Sequence, residues 1–318
     1  MPNRQVKCDG HTHSSKVITA DTIVGELLTF PRPNFSDSSS PIPSRFTLAR
    51  REISDIKFQL AQNDPEVSQS HDVSQPLEKL ETSALVRSMT DRTDLIPGVY
   101  EGGLKTWECS LDLVDYLSRT FNGSSPDLTI TDQTVLEIGC GAALPGIYCL
   151  LHGAARVDLQ DYNPAVLSLV TAPNVLLNTT HRPAAESVDE STGTFEDVAP
   201  PDPTFGGRAH FYSGSWSTLS PLIAPGSYRV ILTSETIYNI SHHEDLLNLI
   251  EHALHPSGIC LVAAKTNYFG LSGSIFTFSG EVEARGKLKA SKVWSSDNEH
   301  NRGSGGVRRE IWLLKWIR

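Results

Sequence analysis

Between Thr134 and Gly146 the chain reads TVLEIGCGAALPG, and this stretch leaves few folds open. The apolar run Val135, Leu136 and Ile138 has the make-up of a buried strand, and it meets a glycine turn at Gly139 and Gly141. Pro145 then opens a second apolar run through Ile147, Tyr148, Leu150 and Leu151. Proline suits the first turn of a helix, where its missing N–H costs nothing. Glycine takes backbone angles closed to other residues and lets a ligand approach the main chain. Free amides at a helix N-terminus attract anionic or polar groups. The stretch therefore predicts a strand, a turn and a helix beside a ligand crevice. Gly139, Gly141 and Gly146 follow G-x-G-x-x-x-x-G rather than the G-x-G-x-x-G of dinucleotide sites, and no G-K-[ST] marks a phosphate-binding loop. Glu137, just before the glycines, points to a ligand with an amino group.

Composition narrows the classes. Of 318 residues, 39% are hydrophobic and 20% charged, as in soluble globular proteins. A net charge of −10 implies no sequence-independent grip on a nucleic-acid backbone. The five cysteines, at 8, 109, 140, 149 and 260, form no C-x-x-C pair. That pattern points to reduced thiols of the cytosol or nucleus. No apolar core follows the basic residues at the N-terminus, so no signal peptide is expected. The uncharged stretch from Ile138 to Ala155 reads as strand, turn and helix rather than as a membrane span, because Pro145 and His152 interrupt it. The expectation is a soluble protein of cytoplasm and nucleus, with no membrane partner and no direct nucleic-acid partner.

Residues 1–80 are expected to be a poorly ordered N-terminal region ahead of one domain, 81–318. PRPNFSDSSSPIPS and the polar segment after residue 62 bury too little apolar surface to offset chain entropy. Ile18 to Phe30 and Phe46 to Leu60 are the only stretches there with element-forming character. Asp9-Gly10-His11-Thr12-His13 mimics a metal site but lacks the further His and Asp ligands on successive strands, so no metal is expected. Farther on, Leu111, Val114 and Leu117 recur at helical spacing and predict a helix from Glu108 to Arg119, with Trp107 at its start. Arg156 to Gln160 reads as a strand closed by Asp161, and Asn163-Pro164 as a helix start with Asn as N-cap. Asp161 falls about 20 residues beyond the glycines, where an acid can accept hydrogen bonds from both ribose hydroxyls.

Residues 179–208 read as a polar insertion. Ala209 to Ser213 and Tyr228 to Thr233 are expected strands, and Ser241 with Glu244 a capping box. His242, His243, His252 and His255 have no acid or cysteine at ligand spacing and read as surface or capping residues. Ile259 to Ala264, Lys287 to Trp294 and Val307 to Ile317 complete the strands, and Ile275, Phe278 and Val282 mark a helix before the last two. Those two strands can pair antiparallel. Alternating units imply an α/β fold with a parallel sheet and ligands at the carboxyl ends of its strands. Glu137 to Gly141, Asp161, Gly214 to Trp216 and Ser234 to Tyr238 all fall at such ends. The C-terminal antiparallel pair separates class I methyltransferases from nucleotide-binding dehydrogenases. The expected architecture is a Rossmann-like seven-stranded sheet, mostly parallel.

On these residues the chain resembles known proteins. LEIGCG is similar to the first motif of S-adenosylmethionine-dependent methyltransferases. More specifically, PGVYEGGLKTWECS, QDYN, T-x-PNVxLN, FYSGSW, SETIYN and AAKTNYFGLSGS resemble the protein-histidine methyltransferase family that modifies a large-subunit ribosomal protein. The resemblance covers residues 94–318. One departure is Ala143, where many methyltransferases carry a third glycine.

The resemblance implies S-adenosylmethionine as cofactor, a protein substrate and a monomer. It implies that Trp107, Glu108, Cys109 and Ser110 close over the methionine end of the cofactor. Gly139 and Gly141 would contact the methionine moiety through backbone, with Glu137 near its amino group. Asp161, with Gln160 and Tyr162, would hold the ribose. Gly214, Ser215 and Trp216 would bracket adenine, and Ser234 would line the floor. Glu235-x-x-Tyr238 matches a [DE]-x-x-Y motif of protein methyltransferases and places both residues beside the acceptor. A neutral imidazole carries a lone pair and needs no strong base at cytosolic pH, so Glu235 or Tyr238 is expected to bond its other nitrogen and fix the tautomer. The alternatives are a protein-lysine methyltransferase of the same fold, a non-catalytic ribosome-assembly binder and a nicotinamide oxidoreductase, the last disfavoured by the glycine spacing.

Overall fold

A computed structural model describes residues 25–31, 45–51, 95–96, 99–121, 129–180, 207–298 and 307–317. In chain order the elements are β1 (Gly25–Pro31), β2 (Arg45–Arg51), α1 (Glu108–Thr120), β3 (Thr134–Ile138), α2 (Leu144–Leu151), β4 (Arg156–Asp161) and α3 (Ala172–Thr180). They continue with β5 (Ala209–Ser213), β6 (Tyr228–Ser234), α4 (His243–Ala253), β7 (Leu254–Lys265), α5 (Ile275–Arg285), β8 (Leu288–Ser295) and β9 (Arg309–Trp316). Seven strands form one sheet in the order β5-β4-β3-β6-β7-β9-β8. Neighbours from β5 to β7 pair parallel. β9 pairs antiparallel with both β7 and β8. The expected terminal pair is therefore present, and β9 lies inside the sheet rather than at its edge. That placement hydrogen-bonds the apolar REIWLLKW run on both sides and leaves β8 as the edge.

The sheet is covered on both faces. Val135, Val157 and Leu159 pack with α1, α2 and α3, whereas Leu136, Ile138 and Ile231 pack with α4 and α5. Strand alternation explains the split, because residues two apart share a face. It also assigns Glu137 to the α2 face with Val135. Of the predicted stripe in α1, Val114 and Leu117 are fully buried while Leu111 is only partly so, and Leu113, which the sequence reading did not name, is buried with them.

Three local expectations need correction. Within the N-terminal region expected to be poorly ordered, β1 and β2 form an antiparallel hairpin that docks on the domain. Leu48 is completely buried, Phe46 stacks on Phe30 at 5.0 Å and meets Tyr148 at 5.3 Å, and the amide of Asn178 exchanges hydrogen bonds with both backbone groups of Ala49. Long-range contacts order these strands, which overlap the two stretches, Ile18 to Phe30 and Phe46 to Leu60, that the sequence marked as element-forming. Second, Asn163 precedes Pro164 as expected, but its side chain makes no cap bond. It instead accepts from Glu101 N and donates to Val99 O. Third, Ser241 caps nothing. Asn239 accepts from Ser241 N at the head of a short 3-10 turn that leads into α4, and His243 is buried, bonded to Ile237 O and Glu281. The Asp9–His13 motif and nearly all of the polar insertion lie outside the described residues. Among the described residues no group of three metal-ligating side chains occurs, and no helix is long and apolar enough to cross a membrane.

Candidate functional site

The turn after β3 has three left-handed residues, Gly139 (φ +62°), Gly141 (φ +48°) and Ala143 (φ +55°). A Cβ at Gly139 would stand 2.5 Å from Thr236 Cγ2, so glycine is required there on two counts. Ala143 occupies the place of the third glycine at a cost of about 1–2 kcal/mol. Neighbouring side chains fix the turn. Gly139 N donates to Gln160 Oε1 at 3.1 Å and Gly141 N to Asp161 Oδ2 at 3.0 Å. From the other side Thr171 Oγ1 donates to Gly141 O at 2.6 Å and Asn174 Nδ2 to Ala142 O at 2.9 Å. Thr171 ends a π-turn, Leu167–Thr171, inserted before α3; such turns recur at functional sites. Asn174 also accepts from Arg51 N at 2.6 Å, which ties the N-terminal hairpin to this turn.

Above the turn lies a cavity of about 1070 Å³ including its open mouth. Its walls come from the carboxyl ends of β3, β4, β5 and β6 and from the segment leading into α1. Of the residues expected at the site, Trp107, Ser110, Gly139, Gly141, Asp161 and Tyr162 line it, as do Gly214, Ser215, Trp216, Ser234, Glu235 and Tyr238. Asp161 accepts from Gly141 N and Asn163 N.

Four expected residues are not on the wall. Glu108 turns outward to Lys265 Nζ at 2.9 Å, and that bond holds its carboxyl below the usual range. Cys109 is buried in the core, and burial pushes its thiol far up. Glu137 is buried against α2, where its Oε2 accepts from Gly146 N at 2.7 Å. Desolvation, partly offset by that bond and reinforced by Asp161, raises its carboxyl to about 8. Strand alternation directs it to this face, so it is a support for the helix rather than a contact for a ligand amino group. Gln160 is likewise buried. Besides holding Gly139, it donates to Gly214 O at 2.7 Å and accepts from Trp216 Nε1 at 3.1 Å. It joins three strand ends and sets the indole's orientation.

The sequence reading assigned no role to Glu101, Lys105, Thr236, His242 or Asp245, all of which line the cavity. The first two lie inside PGVYEGGLKTWECS and carried a signal that went unassigned. Tyr238 O–H donates to the Glu101 carboxylate; burial first, and then this carboxylate, raise the phenol and keep it neutral. Glu235 has φ +58°, a strain of the kind found at active sites. Its Oε1 lies 3.7 Å from Lys265 Nζ, and its charge helps raise the buried Tyr268 and Cys109. Lys265 is pulled down by burial, but Glu108 and Glu235 outweigh this and hold it above its usual value. Lys265 Nζ stands 5.2 Å and Lys105 Nζ 4.3 Å from the Trp107 ring centre, within cation–π range.

A sheet in this order, with an antiparallel strand between its last two and a cavity across four carboxyl ends, has the class I methyltransferase fold. No protein-family model matches the chain. Histidine protein methyltransferase 1 of Saccharomyces cerevisiae is 33% identical over 333 residues, covering 91% of this chain and 82% of that protein. The protein of the same name in Schizosaccharomyces pombe is 31% identical over 254 residues, covering 74% and 69%. The chain therefore belongs to the histidine protein methyltransferase 1 family. A homolog in Dictyostelium discoideum is 39% identical over 208 residues, 64% of this chain and 56% of that protein; the chain spans little more than half the length of this and the mammalian relatives.

Proposed function

We propose that the chain transfers a methyl group from S-adenosylmethionine to a histidine imidazole of a protein, and that this protein is a component of the large ribosomal subunit. The observation that carries the reading is the convergence of Asp161, Trp216 and the Gly139–Ala143 turn on one cavity, in a member of a family named for protein-histidine methylation. The side chains present fit the cofactor. Asp161 offers acceptors for ribose hydroxyls, Trp216 an indole face for adenine, and Glu101, Glu235 and Asp245 line the cavity as negative charges toward a cationic sulfur. Trp107, Ser110, Tyr162, Gly214, Ser215 and Ser234 complete the wall.

S-adenosylmethionine, when bound, supplies a methyl group on a positively charged sulfur. The chain's own work is positioning. Glu235 and Tyr238 follow the end of β6 and line the cavity, where they would stand beside the acceptor. A neutral imidazole already has its nucleophilic lone pair, so orientation and desolvation suffice in place of a strong base. Ile240, Phe269 and Leu271 stand exposed on the segments that follow β6 and β7, and Phe276 stands exposed in the first turn of α5. Ile240 N donates to Ser272 Oγ and Gly273 N to Tyr238 O, which joins the two loops beside Tyr238. An apolar rim next to the cavity suits a protein-sized acceptor. A ribosomal protein substrate further implies work in the cytoplasm and nucleus, and the enzyme is read as a monomer.

The test is transfer of labelled methyl from S-adenosylmethionine into proteins of isolated large ribosomal subunits, followed by hydrolysis to amino acids. The expected product is methylhistidine. Methyllysine would move the assignment to a lysine enzyme of this fold, and no binding of S-adenosylmethionine in a calorimeter would leave a non-catalytic binder.

A further inference from the structure

Of the eight large apolar side chains that stand exposed among the described residues, four fall within one stretch of the chain: Ile240, Phe269, Leu271 and Phe276. Phe269 is 84% exposed. The backbone that carries them is pinned. Gly273 N donates to Tyr238 O at 2.8 Å, Ile240 N to Ser272 Oγ at 3.1 Å and Leu271 N to Tyr268 O at 3.1 Å. A Cβ at Gly273 would run into Ile237 O, so only glycine lets the segments after β6 and β7 pack this closely. Tyr268 packs on the core beneath α4 and α5 and meets the ring of Tyr238 at 6.4 Å. Tyr238 in turn lines the cavity. The apolar side chains are thus held exposed beside the cavity by a fixed framework, which marks an interaction surface.

Charge identifies the occupant. Residues 235–245 carry Glu235, Glu244 and Asp245 and no lysine or arginine, and residues 265–276 carry Lys265 alone. Lys265 Nζ lies 2.9 Å from Glu108 and 3.7 Å from Glu235, so its charge is matched. Lys105, also on the cavity wall, lies over the Trp107 ring at 4.3 Å. An acidic face on a chain of net charge −10 disfavours nucleic acid, anionic lipid and a second copy of the chain. It favours a polypeptide that carries lysine or arginine. A protein of the large subunit is of that kind, since gripping an RNA backbone takes those residues.

We propose that this apolar and acidic face docks the stretch of the acceptor protein that flanks the methylated histidine, and that this stretch carries a large apolar side chain and a lysine or arginine. The inference rests on the histidine reading of the function and names the sequence chemistry that the enzyme selects. Apolar burial supplies affinity, and the charges supply steering and selectivity. Both contacts lie away from the reacting atoms, so they act on KM rather than on kcat.

The test uses the full chain with Phe269→Ser and Leu271→Ser, and with Ile317→Ser as a control at an exposed apolar residue beyond β9. Binding of S-adenosylhomocysteine by calorimetry should stay within about twofold of native in all three, which reports an intact fold and cofactor site. Labelled transfer into proteins extracted from large ribosomal subunits gives the apparent KM and kcat. Phe269→Ser should raise KM about tenfold or more with kcat within about twofold, Leu271→Ser should raise it less, and Ile317→Ser should leave both unchanged. The native KM should rise severalfold between about 50 and 200 mM salt. Native KM values from Phe269→Ser and Leu271→Ser overturn the docking face while leaving the reaction intact, and a KM indifferent to salt overturns the basic flank. A native chain that sediments as a dimer and is dissociated by Phe269→Ser makes a second copy the occupant and overturns the proposal. A native chain that makes no methylhistidine overturns the reaction itself, and this assignment with it.

Discussion

Glu137 offers the sharpest test of how the glycine turn is supported. Its carboxyl is completely buried, accepts from Gly146 N, and leaves Oε1 without a hydrogen-bond partner among the described residues. Burial, less the Gly146 bond and with a contribution from Asp161, raises it from 4.5 to about 8. In the unfolded chain the group ionises as pH rises through 4.5, while in the folded chain it stays protonated until about 8. The unfolded state therefore binds fewer protons across that window, and stability falls as pH rises through it. At 1.36 kcal/mol per pKa unit the loss is roughly 3 kcal/mol at pH 7 and under 1 kcal/mol at pH 5.

Glu137→Gln keeps the acceptor for Gly146 N and removes the titration. Urea unfolding of native and variant chains at pH 5, 6, 7 and 8 isolates the effect, because the other titrating groups are common to both and cancel in the difference. The variant should gain on the native chain by about 2–3 kcal/mol between pH 5 and pH 7. Stability curves that run parallel over this range would refute a buried, protonated Glu137.

Gln160→Leu removes three hydrogen bonds at once, those with Gly139, Gly214 and Trp216. At about 1 kcal/mol each, the three together amount to about 3 kcal/mol, so binding of S-adenosylhomocysteine should weaken by up to about 10²-fold in a calorimeter, with folding retained. Gly139→Ala places a methyl 2.5 Å from Thr236 Cγ2 at φ +62°. It should lower stability by about 1–2 kcal/mol from backbone strain alone, read as a shift in the urea midpoint, and an unchanged midpoint would mean the turn is free to reshape. Leu48→Asp puts a charge into the hairpin's buried face. It should lower the melting temperature and, through Arg51, Asn174 and Ala142, weaken S-adenosylhomocysteine binding as well; loss of stability with native affinity would separate the hairpin from the turn.

The sequence by itself determined the sheet and the place of the cavity. Strand runs such as Val135 to Ile138 and Tyr228 to Thr233 are continuous and apolar because both faces of a parallel strand are covered, so they are legible without neighbours. Pro145 and the glycines mark the turn because backbone geometry is a local property. Asp161, Trp216 and Tyr238 follow from their positions at strand ends. Side-chain direction and long-range partners belonged to the tertiary structure. Glu137 lies two residues from a ligand-facing glycine, but the two-residue period of β3 turns it to α2. Gln160 and Asn163 sit in one tetrapeptide with Asp161, and only the neighbouring strands and the 99–101 segment decide that they act as clamps. The hairpin of β1 and β2 is the extreme case. Its fourteen residues carry too little apolar surface to fold alone, and they are ordered by a core pocket for Leu48 and by two asparagines more than a hundred positions away.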